Sequence, residues 1–297
     1  MYWGIDLGGT KIEGIVLDKT GKTLLRKRIP TEAEKGYAHV LNQIKNLISD
    51  LEETLHLKAH KIGMGTPGSI DPHTQLLKNS NSTVLNGKPF LNDIKKVLAR
   101  DVLIANDANC LALAETKIGI VPEIAPNAQV VFGIIMGTGV GGGIVVNGKV
   151  LNGHMGIAGE WGHNFLDASG GKCYCGKIGC VETILSGPAL ERFYDPKRKT
   201  PLKTIYEQSK TNAHPHAKET IDRLCYFFGL ALSNVINILD PDVVVLGGGV
   251  GNIPDLTTLG RKKTQDFTFN TYFATKLAQP KWGDSAGVFG AAFLTED

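Results

Sequence analysis

Apolar residues along this chain follow two rhythms: short runs closed by glycine, and longer stretches at helical spacing. Tyr2–Leu7 is a short apolar run closed by Gly8-Gly9, and Ile12–Asp18 is a second run closed by a turn at Lys19–Lys22. Leu24–Ile29 reads as a third strand, which makes a β-meander signal. Over Gly36–Leu57 the apolar positions Val40, Ile44, Leu47, Ile48, Leu51 and Leu55 line one face at helical spacing and predict an amphipathic helix. Lys61–Thr66 is a strand running into Pro67-Gly68, Asp101–Ala105 is another, and Asp107–Lys117 begins a helix. Further on, Ala217–Leu239 is a long helix stopped before Pro241, and Asp242–Leu246 is a buried strand ending in Gly247-Gly248-Gly249. Ser285–Leu294 is a small apolar helix. Strands alternate with helices throughout, so the fold class is α/β.

The strand and turn pattern occurs twice. The run from Gly4 to Leu17 aligns without gaps on the run from Gly133 to Val146, and each copy then reaches a Gly-Lys turn, at Gly21-Lys22 and Gly148-Lys149. Two copies suggest two domains descended from one unit and facing each other; two ordinary hairpins sharing common residues are the alternative. The expected division is an N-terminal lobe over 1–118, completed by a C-terminal helix over 285–297, and a second lobe over 119–284. Asp6 of the first copy is matched by Ile135 in the second, so only one of the two turns carries a carboxylate.

Composition narrows the classes. With 297 residues, 42% of them hydrophobic, the chain is long enough for two domains that each bury a core. A net charge of +3, evenly spread, does not point to nucleic acid as a partner. No basic stretch precedes an apolar run at the N-terminus, and no apolar segment reaches the roughly 18 residues of a membrane span, so a soluble cytoplasmic enzyme without a membrane partner is expected. Five cysteines, three of them within Cys173–Cys180, suggest metal ligation over disulfides in such a chain.

Three glycine turns are candidates for one nucleotide. Gly8 and Gly9, between Asp6 and Thr10-Lys11, stand where the backbone turns sharply or approaches a ligand, and the N–H groups of such a turn form a concave anion site. Thr10 adds a hydroxyl, and Asp6 is placed to hold Mg²⁺ through water. Gly137-Thr138-Gly139, opening the run to Gly143, is the second phosphate turn, and Gly247-Gly248-Gly249 the platform under the adenosine. None of the three is a Walker-type phosphate loop or a dinucleotide fingerprint, and any one alone is more often a plain turn. Their joint occurrence at the ends of buried strands is the stronger signal.

The richest stretch is Glu160-Trp161-Gly162-His163 followed by Cys173, Cys175, Cys180 and Glu182. One imidazole and three thiolates make a closed tetrahedral set for structural zinc, with no open position for water or substrate. Cys-x-Cys lacks the Cys-x-x-Cys spacing of redox sites. The zinc would fix a loop so that Glu160, His163 and Glu182 point into one pocket, His163 ligating through one nitrogen and donating to a hydroxyl through the other. Solvated surface acids are the alternative for the two glutamates. Cys110 and Cys225 lie in apolar helical contexts and read as buried packing residues.

In Asn106-Asp107 a carboxylate follows a strand and begins a helix. Helix capping alone explains such a residue, and so does a general base that accepts a hydroxyl proton during phosphoryl transfer. Taken together, Asp6-Leu-Gly-Gly-Thr-Lys11, Asn106-Asp107, Gly159-Glu-Trp-Gly-His163 and the Cys173–Glu182 segment resemble the ROK family (repressors, open reading frames and sugar kinases). The match runs in order from residue 2 to the segment Gly283–Gly287. The resemblance implies a two-lobed actin/hexokinase-like (ribonuclease H-like) fold with a duplicated β-meander and a zinc-bound loop. It further implies ATP with Mg²⁺ as phosphate donor, Asp107 as catalytic base, and Asn81, Asn106, Glu160, His163 and Glu182 as holders of sugar hydroxyls. His163, Cys173, Cys175 and Cys180 would be the zinc ligands. Repressor members carry a helix-turn-helix domain ahead of the first phosphate turn, and with that turn beginning at residue 6 a kinase is expected and not a repressor. A homodimer is expected because dimers are common in the family.

The segment Asn79–Phe90 should form part of the sugar-side loop. With Ile104–Ala112 and Gly159–Asn164 it looks most like bacterial fructokinases of the family, which also tend to accept mannose, although Val84 stands where those enzymes often carry Trp. The expected reaction is therefore phosphorylation of D-fructose to fructose 6-phosphate. The alternatives are a kinase of N-acetylglucosamine or N-acetylmannosamine, or a glucokinase, of the same family. A sugar-responsive binding protein that does not catalyse is a different class of function, which would need neither Asp107 nor Asp6.

Overall fold

A computed structural model describes residues 1–80, 82–211 and 213–296. The chain divides into two compact units, one comprising Met1–Ile124, Gly143–Ala158 and Asp284–Asp297, the other Ala125–Gly142 and Gly159–Gly283.

The first sheet begins with the expected meander. Strands β1 (Tyr2–Leu7), β2 (Lys11–Leu17) and β3 (Thr23–Pro30) pair antiparallel, with Asp6 opposite Glu13. Helix α1 (Tyr37–Leu55) buries Val40, Ile44, Leu47, Ile48 and Leu51 on its predicted face. Gly36, at φ +99°, lies outside that helix, because a backbone in the positive-φ region cannot continue a right-handed helix. Strand β4 (Lys61–Thr66) pairs parallel with β1, and a small hairpin follows from β5 (Ser69–Ile70) and β6 (Leu77–Lys78). After α2 (Phe90–Leu98), strand β7 (Asp101–Asn106) pairs parallel with β4 and runs directly into α3 (Asp107–Lys117). The strand order is β3-β2-β1-β4-β7. The core beneath this sheet includes Trp3, Ile5, Ile44, Leu47, Leu51, Ile62, Met64 and Phe90.

A second five-stranded sheet repeats the topology. After the short helix α4 (Ile120–Ile124) come β8 (Val130–Met136), β9 (Val140–Val146) and β10 (Lys149–Val150). Helices α5 (Glu182–Leu185), α6 (Gly187–Tyr194), α7 (Leu202–Ser209) and α8 (Pro215–Leu239) lead to β11 (Val243–Gly247), the short α9 (Gly248–Gly251), α10 (Leu259–Phe267) and β12 (Lys276–Ala278). The order β10-β9-β8-β11-β12 is the same permutation as in the first sheet. All five residues of β11 are buried between parallel neighbours, which is why its sequence is a continuous apolar run. Cys110 and Cys225 are fully buried, as their apolar settings suggested.

The last helix, α11 (Ala286–Phe293), packs within the first unit against β1, β4 and α3. Glycine makes that approach possible: a Cβ on Gly63 would lie 1.7 Å from the Ala291 carbonyl oxygen, and one on Gly290 would lie 1.8 Å from that of Cys110. No helix among the described residues is long and apolar enough to cross a membrane.

Candidate active site

In the first unit, β1 ends at the glycine turn and carries Asp6 near its end. The turn is closed by the Gly8 N–H donating to Lys11 O at 3.0 Å, and the Thr31 hydroxyl holds Gly8 O at 2.7 Å. Space for the Asp6 carboxylate is made by two glycines, since a Cβ on Gly287 or Gly65 would sit 3.1 or 3.3 Å from its oxygens. Burial pushes the Asp6 carboxyl up to about 6, and the charges of Asp107 and Glu13 push in the same direction. Glu13 stays ionised beside it, because Arg26 and Arg28 both pair with its carboxylate and hold it below the ordinary range despite burial. Asp6 thus has two acidic neighbours, Asp107 and Glu13, whose effect Lys11 and Arg28 partly offset.

Helix α3 shows which of Asn106 and Asp107 caps it. The cap is Asn106, whose Oδ1 accepts from the Asn109 N–H at 2.7 Å. Asp107, the first helical residue, accepts from the adjacent Ala108 N–H at 2.8 Å and remains exposed. Desolvation by the surrounding protein raises its carboxyl pKa above the ordinary value, against the lowering effect of those backbone N–H groups. A carboxylate relieved of capping, reachable and made more basic is a candidate for a general base. Asn81 lies outside the described residues. The segment around it is tied to itself, with the Asn86 amide bonded to Ser80 N and O, and Val84 packs against the hydrophobic core.

In the second unit, Glu160 precedes the turn Trp161–His163. The Trp161 indole N–H donates to Gly141 O at 3.1 Å and its ring stands edge-on to Phe132 at 5.7 Å, which pins this turn to the glycine-rich strand β9. His163 Nδ1 lies 3.6 Å from Cys173 Sγ, Cys175 Sγ lies 3.6 Å from Cys180 Sγ, and the four donor atoms all fall within 4.8 Å of one another. Tetrahedral zinc bonds of about 2.0 Å to nitrogen and about 2.3 Å to sulfur require donor atoms roughly 3.5–3.8 Å apart. Both 3.6 Å pairs already have that spacing, so the set fits the ion. Burial pushes the Cys180 thiol up to about 12, so metal uptake would displace protons. His163 Nε2, the nitrogen facing away from the cysteines, lies 3.0 Å from the Tyr174 hydroxyl. Glu182 begins α5, and its Oε2 accepts from the Val140 N–H at 2.9 Å.

That bond ties Glu182 to the second glycine turn. Gly139 is needed there, because a Cβ would come within 2.7 Å of the Glu182 carboxylate. Gly137 and Thr138 open onto a cavity of about 600 Å³, also lined by Pro188, Tyr206, Gly249 and Ile253. The three glycines after β11 divide their work: Gly247 ends the strand and caps α9, Gly248 at φ +81° lets the backbone pass over Met136 O, and Gly249 faces open space. Pro188, Arg198, Lys203 and Tyr206 also border this cavity, although no motif in the sequence singles them out. They sit on or beside α6 and α7, which carry no glycine turn; the only available signal was a pair of cations in an otherwise ordinary polar stretch.

The model of the ROK family matches residues 2–297. The chain belongs to the ROK family. It is 34% identical to an N-acetyl-D-glucosamine kinase of Salmonella gallinarum, over 99% of each chain. Among solved structures, a ROK hexokinase from Thermus thermophilus superposes with a TM-score of 0.87 at 31% identity, covering 99% of this chain and 97% of that one. A ROK family glucokinase from Streptomyces griseus, in complex with glucose and AMPPNP, gives 0.75 at 25% identity, covering 99% and 98%. These likenesses establish the actin/hexokinase-like α/β fold with two sheets that the sequence implied.

Proposed function

We propose that this ROK-family, ATP-dependent sugar kinase transfers the γ-phosphoryl group of Mg·ATP to a hydroxyl of an N-acetylated hexose, with N-acetyl-D-glucosamine the preferred acceptor. The observation that carries the chemistry is Asp107: exposed, freed of capping by Asn106, and raised in basicity by its surroundings. Fructose, the acceptor suggested by the 79–90 segment, has less support. Curated relatives a third identical over the full length include N-acetyl-D-glucosamine kinases, and Val84, the position at which the chain departs from the resembled fructokinases, packs against the core.

In this reading Asp107 accepts the hydroxyl proton late in the transfer, since phosphoryl transfer proceeds through a loose transition state that depends on positioning and charge neutralisation. Asn106, Glu160, His163 and Glu182, with Asn81, hold the sugar hydroxyls. Asp6 holds the Mg²⁺ of the nucleotide through water, and Gly8, Gly9, Thr10 and Lys11 meet the phosphates. Gly137, Thr138 and Gly139 form the second phosphate turn, and Gly247, Gly248 and Gly249 serve the adenosine, with Gly249 lining the 600 Å³ cavity. Zinc on His163, Cys173, Cys175 and Cys180 would cross-link the loop that carries Glu160 and Glu182. A homodimer belongs to the same proposal, and light scattering tests it.

The deciding measurement is Mg²⁺-dependent ATP turnover against N-acetylglucosamine, N-acetylmannosamine, glucose, mannose and fructose. Highest kcat/KM for N-acetylglucosamine supports the assignment. Selection of fructose returns the substrate to the first expectation with the mechanism intact, and ATP turnover that ignores every sugar removes the assignment altogether.

A further inference from the structure

Beside Asn106, within the first unit, lies a second cavity of about 260 Å³ that the nucleotide does not use. Its walls come from four places: the β5 hairpin with Ser69, Ile70 and Gln75, the end of β7 with Ile104, the buried Asn109 of α3, and the loop at Asn152–Gly156. No Asp, Glu, Lys, Arg or His contributes to this lining, in contrast to the acidic surroundings of Asp6. Apolar surface from Ile70, Ile104 and Pro72 accompanies neutral amides from Gln75, Asn106, Asn109 and Asn152. The Ser69 hydroxyl is buried and has no hydrogen-bond partner among the described residues.

A buried hydroxyl without a partner is costly, commonly about 1–3 kcal/mol, unless a ligand satisfies it. The cavity has the volume of roughly eight or nine waters in the liquid at ~30 Å³ each, too much for a single bridging water. A sugar hydroxyl alone would leave the isoleucine surface unfilled. An uncharged group with both a carbonyl and an alkyl end matches each wall: hydroxyl and amide donors for the carbonyl, Ile70 and Ile104 for the alkyl part.

We infer that this cavity receives the acyl group of an N-acylated amino sugar whose ring is held at Asn106, and that Ser69, Ile70 and Ile104 set how long that acyl chain can be. The inference rests on the proposed acceptor class and goes further, because the space exceeds what an acetyl group fills. N-propionyl- and N-butyrylglucosamine are therefore substrates, with kcat/KM within about tenfold of N-acetylglucosamine, whereas a pocket closed to one further methylene would discriminate roughly 10–200-fold. Ile70→Phe, which fills the cavity, lowers the butyryl-to-acetyl ratio of kcat/KM by about tenfold or more. Ile70→Ala, which widens it, raises that ratio.

The experiment is coupled ATP turnover on the purified enzyme with the three N-acyl glucosamines, for wild type and both variants. Tolerance of longer chains in wild type, with the ratio moving in opposite directions in the two variants, is the expected result. If N-acetylglucosamine is turned over well but the longer chains are rejected, or the ratio is unmoved in both variants, the acyl group lies elsewhere and the inference falls alone. If wild type prefers sugars without an acyl group, the proposed acceptor and the inference fall together. The wild-type series needs no variant, so a misfolded Ile70→Phe cannot leave the question open.

Discussion

Glu182 accepts a hydrogen bond from the Val140 N–H at 2.9 Å, so a residue expected to hold sugar also holds the turn expected to hold phosphate. A hydrogen bond to a charged group is worth about 1.5–3 kcal/mol, and the partner left behind adds desolvation. Glu182→Ala should therefore raise KM for ATP as well as for sugar and lower kcat/KM by about 10–100-fold or more. Steady-state kinetics with each substrate varied in turn checks this; a defect confined to the sugar would show that the turn does not depend on Glu182.

Asp107→Asn should lower kcat by about 10²–10⁴, the usual contribution of a positioned base, with little change in sugar binding. Because Asn106 supplies the cap, the variant should keep its helix and its melting temperature. Wild-type kcat/KM should fall on the acid side at a pH above the ordinary Asp value, since the Asp107 pKa is raised and the base must be ionised. Near wild-type turnover in the variant would remove Asp107 from the chemistry.

Asp6 gives a stability prediction of definite sign. Its folded pKa of about 6 exceeds the ordinary value of 3.8, so the folded state binds its proton more tightly than the unfolded chain does. The associated stability is full below about pH 4 and is lost as pH rises through about 6, at a cost on the order of 2–3 kcal/mol at neutral pH. Asp6→Asn should thus melt higher than wild type at pH 8 in the absence of Mg²⁺ and nucleotide, by several degrees, and the gap should close near pH 4. Calorimetry across that range checks it, and a variant less stable at pH 8 would contradict the sign.

The zinc set should bind one ion per chain, measurable by atomic absorption. Cys175→Ser, at the exposed ligand, should reduce zinc content and lower both melting temperature and sugar affinity. Unchanged kinetics in zinc-free protein would separate the loop's order from the site.

Gly249 faces open space, with no atom within 4 Å of the point where a Cβ would stand. Gly249→Leu should fold normally while its side chain enters the 600 Å³ cavity. KM for ATP should rise about tenfold or more, equivalent to about 1.4 kcal/mol of lost binding, with sugar affinity preserved. An unaltered KM would move the nucleotide out of this cavity.

Much of this molecule was legible in one dimension because strands, turns and ligand spacing are local. The run Gly4–Leu17 against Gly133–Val146 announced two sheets of one topology, and Cys173, Cys175, Cys180 and His163 came together as their residue types required. What stayed hidden depends on contacts distant in sequence. The capping role was visible at the right place but on the wrong residue, because Asn106 and Asp107 are both good caps and only the backbone angle separates them. Tyr206, Lys203 and Ile253 border the 600 Å³ cavity from elements without a motif, and Ser69 and Asn152 line a second cavity whose two sides are far apart in sequence. Val84, the one departure noted from the fructokinase pattern, packs against the core.

The glycines under α11 also govern when this protein can fold. The first unit holds the residue proposed for catalysis and the first phosphate turn, yet part of its core arrives with Ala286–Phe293, after the whole second unit has been made. On the ribosome, domains tend to fold as they emerge, but here the emerging first sheet must keep the grooves at Gly4, Gly63 and Cys110 uncovered until synthesis is nearly done. Asp6 and Asp107 therefore gain their final packing last, so a nascent chain stalled before residue 286 would carry a complete second unit and an incomplete first one.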